Sequence, residues 1–418
     1  MKKKVDAVII GAGPAGMAAA VSLRENGIKN ILLVDREPVA GGILQQCIHN
    51  GFGVHHFKEE LTGPEYAERY IDQINKNKID LWLDSCVIDI EKNQDDTKTV
   101  VVLSKERGIN YINTKAVVLA MGCRERNRGN INIPGSRPAG IMTAGTAQKL
   151  VNIYGYLPGK EVVILGSGDI GLIMARRMTW EGANVKAVIE LQSYPGGLNR
   201  NIVQCLNDFD IPLYLSHTIS NISGNDRIEE VEVSPLDENF EAIKSKSFNL
   251  KCDTLLLSVG LIPENELSIK IGVKLDPVTR GAYVDKNLMT IVPGIFSCGN
   301  VLQVHDLVDF VSEEAKICGA SVAKYINNKL EKSKEIPLQK RNLVRYVLPS
   351  KVEIGKPALL SLRPMHPAKN MTLTVKTNSS VELFKRKYKN IFPSIMLRIN
   401  IDVVPEDTEF VEIKFEKE

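Results

Sequence analysis

The 418-residue sequence predicts an α/β fold: two Rossmann-like βαβ dinucleotide-binding domains, the first discontinuous, then a small C-terminal antiparallel β-sandwich. Three observations predict this. An apolar strand, a glycine-rich turn, a helix and a second strand ending in an acid open the chain. The same order recurs after residue 160. Beyond Ile336 the texture changes to short alternating runs.

The first unit is "VDAVIIGAGPAGMAAAVSLRENGIKNILLVDRE". Val5 to Ile10 is nearly all apolar, as a parallel strand buried on both faces should be. Gly11, Gly13 and Gly16 then give G-x-G-x-x-G, with Pro14 and Ala15 inside it. Gly11 permits the turn, Gly13 lets backbone approach a pyrophosphate, and Gly16 lets the helix pack closely on the strand. Phosphates are expected at the helix N-terminus, where free N–H groups and the dipole favour anions. Gly27 is expected to end the helix. Strand Ile31 to Val34 delivers Asp35, whose carboxylate can accept ribose hydroxyl bonds, and Arg36 follows. Strand, turn, helix and terminal acid together are far more specific than glycine spacing alone. The alternative is a Rossmann-like unit that has lost its ligand.

The second unit, "GKEVVILGSGDIGLIMARRMTWEGANVKAVIELQ", has strand Val162 to Leu165 and glycines 166, 168 and 171 around Asp169 and Ile170. A helix follows, then strand Val185 to Ile189 ending in Glu190. Two fingerprints imply two nucleotide-binding domains. Glu190 would repel a 2′-phosphate and "LQS" after it offers no arginine, which favours NADH over NADPH. The alternative is that Glu190 is an exposed strand-end charge.

These residues resemble the two-dinucleotide-binding-domain flavoproteins, the superfamily of glutathione reductase and thioredoxin reductase. Gly41 and Gly42, followed by Ile43, are similar to the glycine pair that passes the FAD pyrophosphate and ribityl chain. "AVVLAMGCRE", with Ala120, Met121 and Gly122, resembles the A-T-G turn that crosses to the second domain. "CDTLLLSVGLIPENEL" resembles the return strand with its G-x-x-P-N turn at Gly260, Pro263 and Asn265. In "GIFSCGNV" the family's Gly-Asp is replaced by Gly299 and Asn300, which keeps an acceptor, adds a donor and removes a negative charge. The resemblance implies that a helix from about Leu307 to Asn328 aims its N–H groups near Asp309 and Phe310 at the flavin, and that Val87 is a further FAD contact. It covers roughly residues 4 to 330. It implies an FAD domain in two parts (1–155 and 265–335), an NAD domain (156–264) and a C-terminal β domain (336–418).

"GGILQQCIHNGFG", "EELTGPEYAERY" and "GIMTAGTAQ" are most similar to a branch without the redox disulfide. That branch includes alpha subunits of opine and proline dehydrogenases. It also includes bacterial oxidoreductases accompanying glycerol-3-phosphate dehydrogenase-like flavoproteins. The resemblance implies hydride transfer from NADH to FAD, then on to an external acceptor: a glycerol-3-phosphate dehydrogenase-like partner or an electron carrier. Two rival implications are the FAD/NAD-binding subunit of an amine, opine or proline dehydrogenase complex, and a non-catalytic flavoprotein scaffold.

The seven cysteines include no CxxC, which argues against a zinc site, an iron-sulfur cluster or a local redox disulfide and fits a reducing compartment. Cys47 has three readings: an inert apolar side chain, a single redox thiol with His49 lowering its pKa, or a thiol that forms a mixed disulfide with a partner. His305, just before the expected flavin-facing helix, is the remaining catalytic candidate. "HHFKEE" at 55 to 60 lacks a third ligand at helical spacing, so no metal is expected.

With 53 basic and 50 acidic residues, the charge balance does not suggest nucleic acid. "MKKKVDAVIIGAG" has too short an apolar run for a signal peptide, and no later run is long enough to span a membrane. A soluble, cytoplasmic protein is expected, with an oligomer left open. From Ile336 onward 15 Lys+Arg face 9 Asp+Glu, and the basic run Lys385 to Lys389 is expected at a strand end. That tail reads either as a stabilising lid or as a docking surface for a redox partner.

Overall fold

The computed structural model describes residues 2–330 and 334–417. The chain divides into two compact units, Met1–Cys123 with Pro263–Glu418, and Arg124–Ile262. The first unit opens with strand β1 (Lys2–Ile10), helix α1 (Pro14–Glu25) and strand β2 (Ile31–Val34). β1 runs parallel to β2, Ala7 opposite Ile31, and to strand Gly108–Leu119 on its other side, Ala7 opposite Ala116. Every β2 side chain is buried, as a strand covered on both faces requires. α1 ends at Glu25 with Gly27 in the left-handed region at φ 88°, where glycine carries no Cβ penalty.

The sheet is not parallel throughout. Strands Lys98–Ser104 and Ser85–Lys92 join its edge antiparallel, while β1, β2 and Gly108–Leu119 at its centre are parallel. The reason is in their sequence: Ser85–Lys92 alternates buried and exposed positions, the pattern of a hairpin with one face in water.

The second unit repeats the design with strand β3 (Glu161–Leu165), helix α2 (Asp169–Trp180) and strand β4 (Asn184–Glu190), β3 and β4 parallel. An antiparallel three-stranded sheet, His217–Gly224, Ile228–Pro235 and Phe248–Lys251, accompanies it.

The chain returns to the first unit through strand Ile295–Ser297, which joins the main sheet beside Gly108–Leu119, and helix α3 (Val308–Ile326). α3 packs on α1 through small residues: a Cβ on Gly319 would lie 2.5 Å from the Ala19 carbonyl oxygen. The C-terminal part has a five-stranded and a three-stranded sheet sharing one apolar core that includes Leu360, Leu373 and Phe415. Its strand pairs are antiparallel except Glu335–Lys340 with Val411–Lys417. The basic run Lys385 to Lys389 does not sit at a strand end. It occupies the middle of the edge strand Glu382–Ile391, where charge blunts an open hydrogen-bonding edge.

Candidate functional site

The first fingerprint folds into a turn that only glycine permits. Gly11 has φ 104°, and a Cβ there would lie 2.4 Å from the Ala120 carbonyl oxygen. The N-cap of α1 is Gly13, with no capping side chain, so the first-turn N–H groups keep room for an anion. Asp35 closes the turn from below: Oδ2 accepts from Ala12 N at 2.5 Å and Oδ1 from Glu37 N at 2.9 Å. Burial raises the pKa of this carboxyl, and those two N–H bonds pull against the rise.

Two further glycine segments meet this turn. A Cβ on Gly42 would sit 3.1 Å from Gly13 Cα, and one on Gly299 would sit 2.6 Å from Ala15 Cβ and 3.5 Å from Val311 Cγ1. Glycines 13, 42 and 299 therefore expose backbone around the start of α1, a cradle that side chains would fill. A dinucleotide fits such a cradle, since phosphate and ribityl groups need close backbone approach and N–H donors. Met121 and Gly122 extend from Ala120 at its rim, while Ile43 and Arg36 are exposed beside it. Val87 is buried in Ser85–Lys92, where the register shifts.

The second unit builds the same geometry. Gly166 has φ 97°, and its Cβ would lie 2.1 Å from the Ser258 carbonyl oxygen. Gly168 is the N-cap of α2 and again carries no capping side chain. Glu190 is only 8% exposed, which removes the reading of a solvated strand-end charge. Its Oε2 accepts from Ser167 N at 2.9 Å and Ser167 Oγ at 2.5 Å, and its Oε1 from Gln192 N at 2.9 Å. Asp169 turns toward the following loop, accepting from Leu198 N at 2.8 Å and Asn201 Nδ2 at 2.6 Å. Ile170 packs against the core, and the Gly260 carbonyl accepts from Arg126 N at 3.0 Å.

At Asn300 the structure shows a network that the motifs did not disclose. Asn300 Oδ1 accepts from His305 N at 3.0 Å and lies 3.4 Å from His305 Nδ1. His305 Nε2 lies 3.2 Å from Glu314 Oε2, and the His305 side chain is 2% exposed. Glu314 also accepts from Gly299 N and from Gln303 Nε2, both at 2.7 Å. Glu314 was legible in one respect: it sits three residues after Val311 and four before Cys318, inside the buried stripe of α3. A carboxylate in that stripe must be paired.

Asp309 is 1% exposed at the start of α3. Its Oδ2 accepts from His55 N at 3.0 Å, and its Oδ1 has no partner among the described residues. Phe310 stacks on His55 with centroids 5.9 Å apart.

The structure brings Cys47 to the start of helix Gly63–Lys76, where a Cβ on Gly63 would meet Cys47 Cβ at 2.8 Å. Its thiol donates to the Ile43 carbonyl at 3.3 Å, and burial pushes its pKa up to about 12. His49 Nδ1 lies 3.0 Å from the Asn50 carbonyl, with the ring 5.0 Å from Phe52. None of the seven cysteines forms a disulfide, and among the described residues no group of three or more His, Cys, Asp or Glu is placed to hold a metal. No helix among them is long and apolar enough to cross a membrane.

Comparison with known proteins gives this geometry its context. Residues 5–322 match the family model described as pyridine nucleotide-disulphide oxidoreductase. Hydrogen cyanide synthase subunit HcnB of Pseudomonas protegens is 25% identical over 291 residues, covering 64% of this chain and 59% of the relative. An opine oxidase subunit from Agrobacterium tumefaciens is 26% identical over 284 residues, covering 65% and 55%. The matched region thus spans less than two thirds of each of these relatives. Among solved structures, T. acidophilum thioredoxin reductase aligns with TM-score 0.62 at 25% identity, covering 78% of this chain and 99% of that one. L-proline dehydrogenase from P. horikoshii shares the fold with TM-score 0.54 at 19% identity, covering 79% and 59%. With its two glycine turns, their two acids and this match, the chain belongs to the pyridine nucleotide-disulphide oxidoreductase family, flavoprotein oxidoreductases whose members bind FAD and NAD(P)H.

Proposed function

We propose that the protein transfers hydride from NADH to FAD and delivers the electrons to an acceptor outside this chain. The observation that carries the donor choice is Glu190. Its carboxylate is fixed on the second glycine turn by Ser167 and Gln192, and residues 191–198 contain no Lys or Arg to balance a 2′-phosphate. Bound FAD supplies the hydride acceptor and the electron store; the protein supplies position and electrostatics.

In the first unit, Gly13, Gly42 and Gly299 would hold the FAD phosphates and ribityl chain by backbone, Asp35 would take the ribose, and Ala120 to Gly122 would line the cradle beside Gly11. Gly166, Gly168, Gly171 and Glu190 hold the nicotinamide nucleotide. His305 lies between Asn300 Oδ1 and Glu314 Oε2, an arrangement that supports a positioning role at the Asn300 turn. Asn300 thus presents its oxygen to His305 and its amide toward Cys123, 3.8 Å away.

Cys47, with a pKa near 12, is a thiol at neutral pH and a poor nucleophile. That supports an acceptor beyond the chain. A second reading draws on the two relatives named as subunits, of hydrogen cyanide synthase and of opine oxidase: this chain is the nucleotide-binding subunit of an amine or opine dehydrogenase, and the substrate is oxidised on another polypeptide. Anaerobic stopped-flow mixing tests the main reading. Flavin absorbance should bleach at least tenfold faster with NADH than with NADPH, a preference of about 1.4 kcal/mol. Equal rates would remove Glu190 from the selection, and no bleaching by either nucleotide would favour the second reading.

A further inference from the structure

We infer that Arg363, in the C-terminal β domain, is a positioning residue of the flavin site: it holds the Val304–Asp306 segment so that His305 stays locked between Asn300 and Glu314. This rests on the FAD reading above and goes beyond it, because that reading uses no residue past α3.

Arg363 lies on strand Ala358–Pro364 and its side chain is 10% exposed. The guanidinium divides its donors among four partners. Nε donates to Tyr346 Oη at 3.2 Å, Nη1 to the Pro393 carbonyl at 2.9 Å, and Nη2 to the Val304 carbonyl at 3.0 Å and to Asp306 Oδ1. Two partners belong to its own domain and two to the segment leading into α3. The C-terminal domain adds a second grip, since Met396 N donates to Asp306 Oδ2 at 2.5 Å. A third follows one turn later, where Arg398 pairs with Glu313 and lies 4.5 Å from the Phe310 ring centroid.

The segment is thus gripped on alternate residues. The Val304 carbonyl and the Asp306 carboxylate go to Arg363, while His305 between them goes to Asn300 and Glu314. This coupling needs the planar fork of arginine, since a lysine offers one compact charge and cannot reach four fixed acceptors. It is also a buried pair: desolvation raises the Asp306 carboxyl above its ordinary pKa, and the Arg363 charge pulls it back. Release of the fork frees Val304 to Asp306 to shift, and a hydrogen bond weakens steeply once its geometry goes.

The test uses the full-length protein, with FAD added to apoprotein and followed by flavin fluorescence quenching and by the visible absorption and circular dichroism of the bound flavin. In Arg363→Lys the Kd for FAD should rise about tenfold, equivalent to the loss of one charged hydrogen bond, and the bound-flavin spectrum should shift. Lys286→Met is the control. It breaks another contact that the C-terminal domain makes with residues 265–335, Lys286 with Glu353. It should lower the melting temperature while leaving Kd within about twofold and the spectrum unchanged, a difference below 0.5 kcal/mol. If Arg363→Lys fails to fold, Tyr346→Phe removes one partner of the fork, and it should shift the same spectrum.

An Arg363→Lys protein, or its Tyr346→Phe substitute, with wild-type Kd and spectrum would overturn the positioning role. So would a Lys286→Met protein that reproduces the full flavin change, since the effect would then be general loosening of the domain. A wild-type protein that binds no FAD would overturn the function reading itself, and this inference with it.

Discussion

The Glu314 carboxylate offers the sharpest energetic prediction. It lies 8% exposed and receives Gly299 N at 2.7 Å, Gln303 Nε2 at 2.7 Å and His305 Nε2 at 3.2 Å. Glu314→Ala leaves three buried donors without their acceptor, each worth about 1–3 kcal/mol when orphaned, and water entering the space recovers part of that. The expected net loss is about 3–5 kcal/mol, the sum over those donors less what water recovers. Glu314→Gln keeps the volume and one acceptor. Gln303, whose Oε1 has no partner among the described residues, can turn to meet the new amide, so the loss should be about 1–2 kcal/mol. The assay is urea unfolding in a Trp180→Phe background. Trp180 is 60% exposed in the second unit, and its removal leaves Trp82, buried at the end of strand Asp80–Trp82, to report on the first unit alone. A Glu314→Ala midpoint corresponding to less than about 1 kcal/mol would refute the network as described.

Three further outcomes follow from the same geometry. Gly11→Ala places a Cβ 2.4 Å from the Ala120 carbonyl oxygen and should leave a protein purified without flavin, while Gly27→Ala, with open space around it, should cost about 1–2 kcal/mol and stay yellow. Equal flavin content in both would contradict the cradle. Burial pushes the Cys47 pKa up to about 12, so iodoacetamide should label exposed Cys86 long before it; matching rates by mass spectrometry would count against the half-buried, raised-pKa thiol. Burial lifts the folded-state pKa of Asp35 above 3.8, so the folded apoprotein takes up this proton before the unfolded chain does. The wild type should therefore gain stability relative to Asp35→Asn as pH falls from 7 toward 4, read from urea midpoints; the opposite slope would refute the desolvation argument.

The parts of the site that were legible in the sequence are those whose chemistry is local. Gly11, Gly13 and Gly16 are dictated by one turn, and Asp35 and Glu190 end the strand beside that turn, so strand length alone brings each acid to its own glycine loop. The site around Asn300 was legible only as a substitution, because its partners come from elsewhere. His305 and Glu314 meet it through the turn before α3, and Arg363 arrives from a strand of another layer. The basic run at 385–389 was misplaced for a related reason. Alternation marks a strand, but which strand is an edge depends on sheet order, which is a long-range property. The antiparallel edge of the first sheet escaped notice in the same way, although the alternating burial of Ser85–Lys92 is its physical cause.

The central claim is that two nucleotides act on one chain, FAD held by the first glycine turn and NADH by the second. The most direct measurement is an anaerobic titration of the purified yellow protein with NADH, followed by flavin absorbance. One FAD per chain and complete bleaching at one NADH per FAD is the predicted result. A flavin that stays oxidised through a tenfold excess of NADH, but is bleached by dithionite, would contradict it.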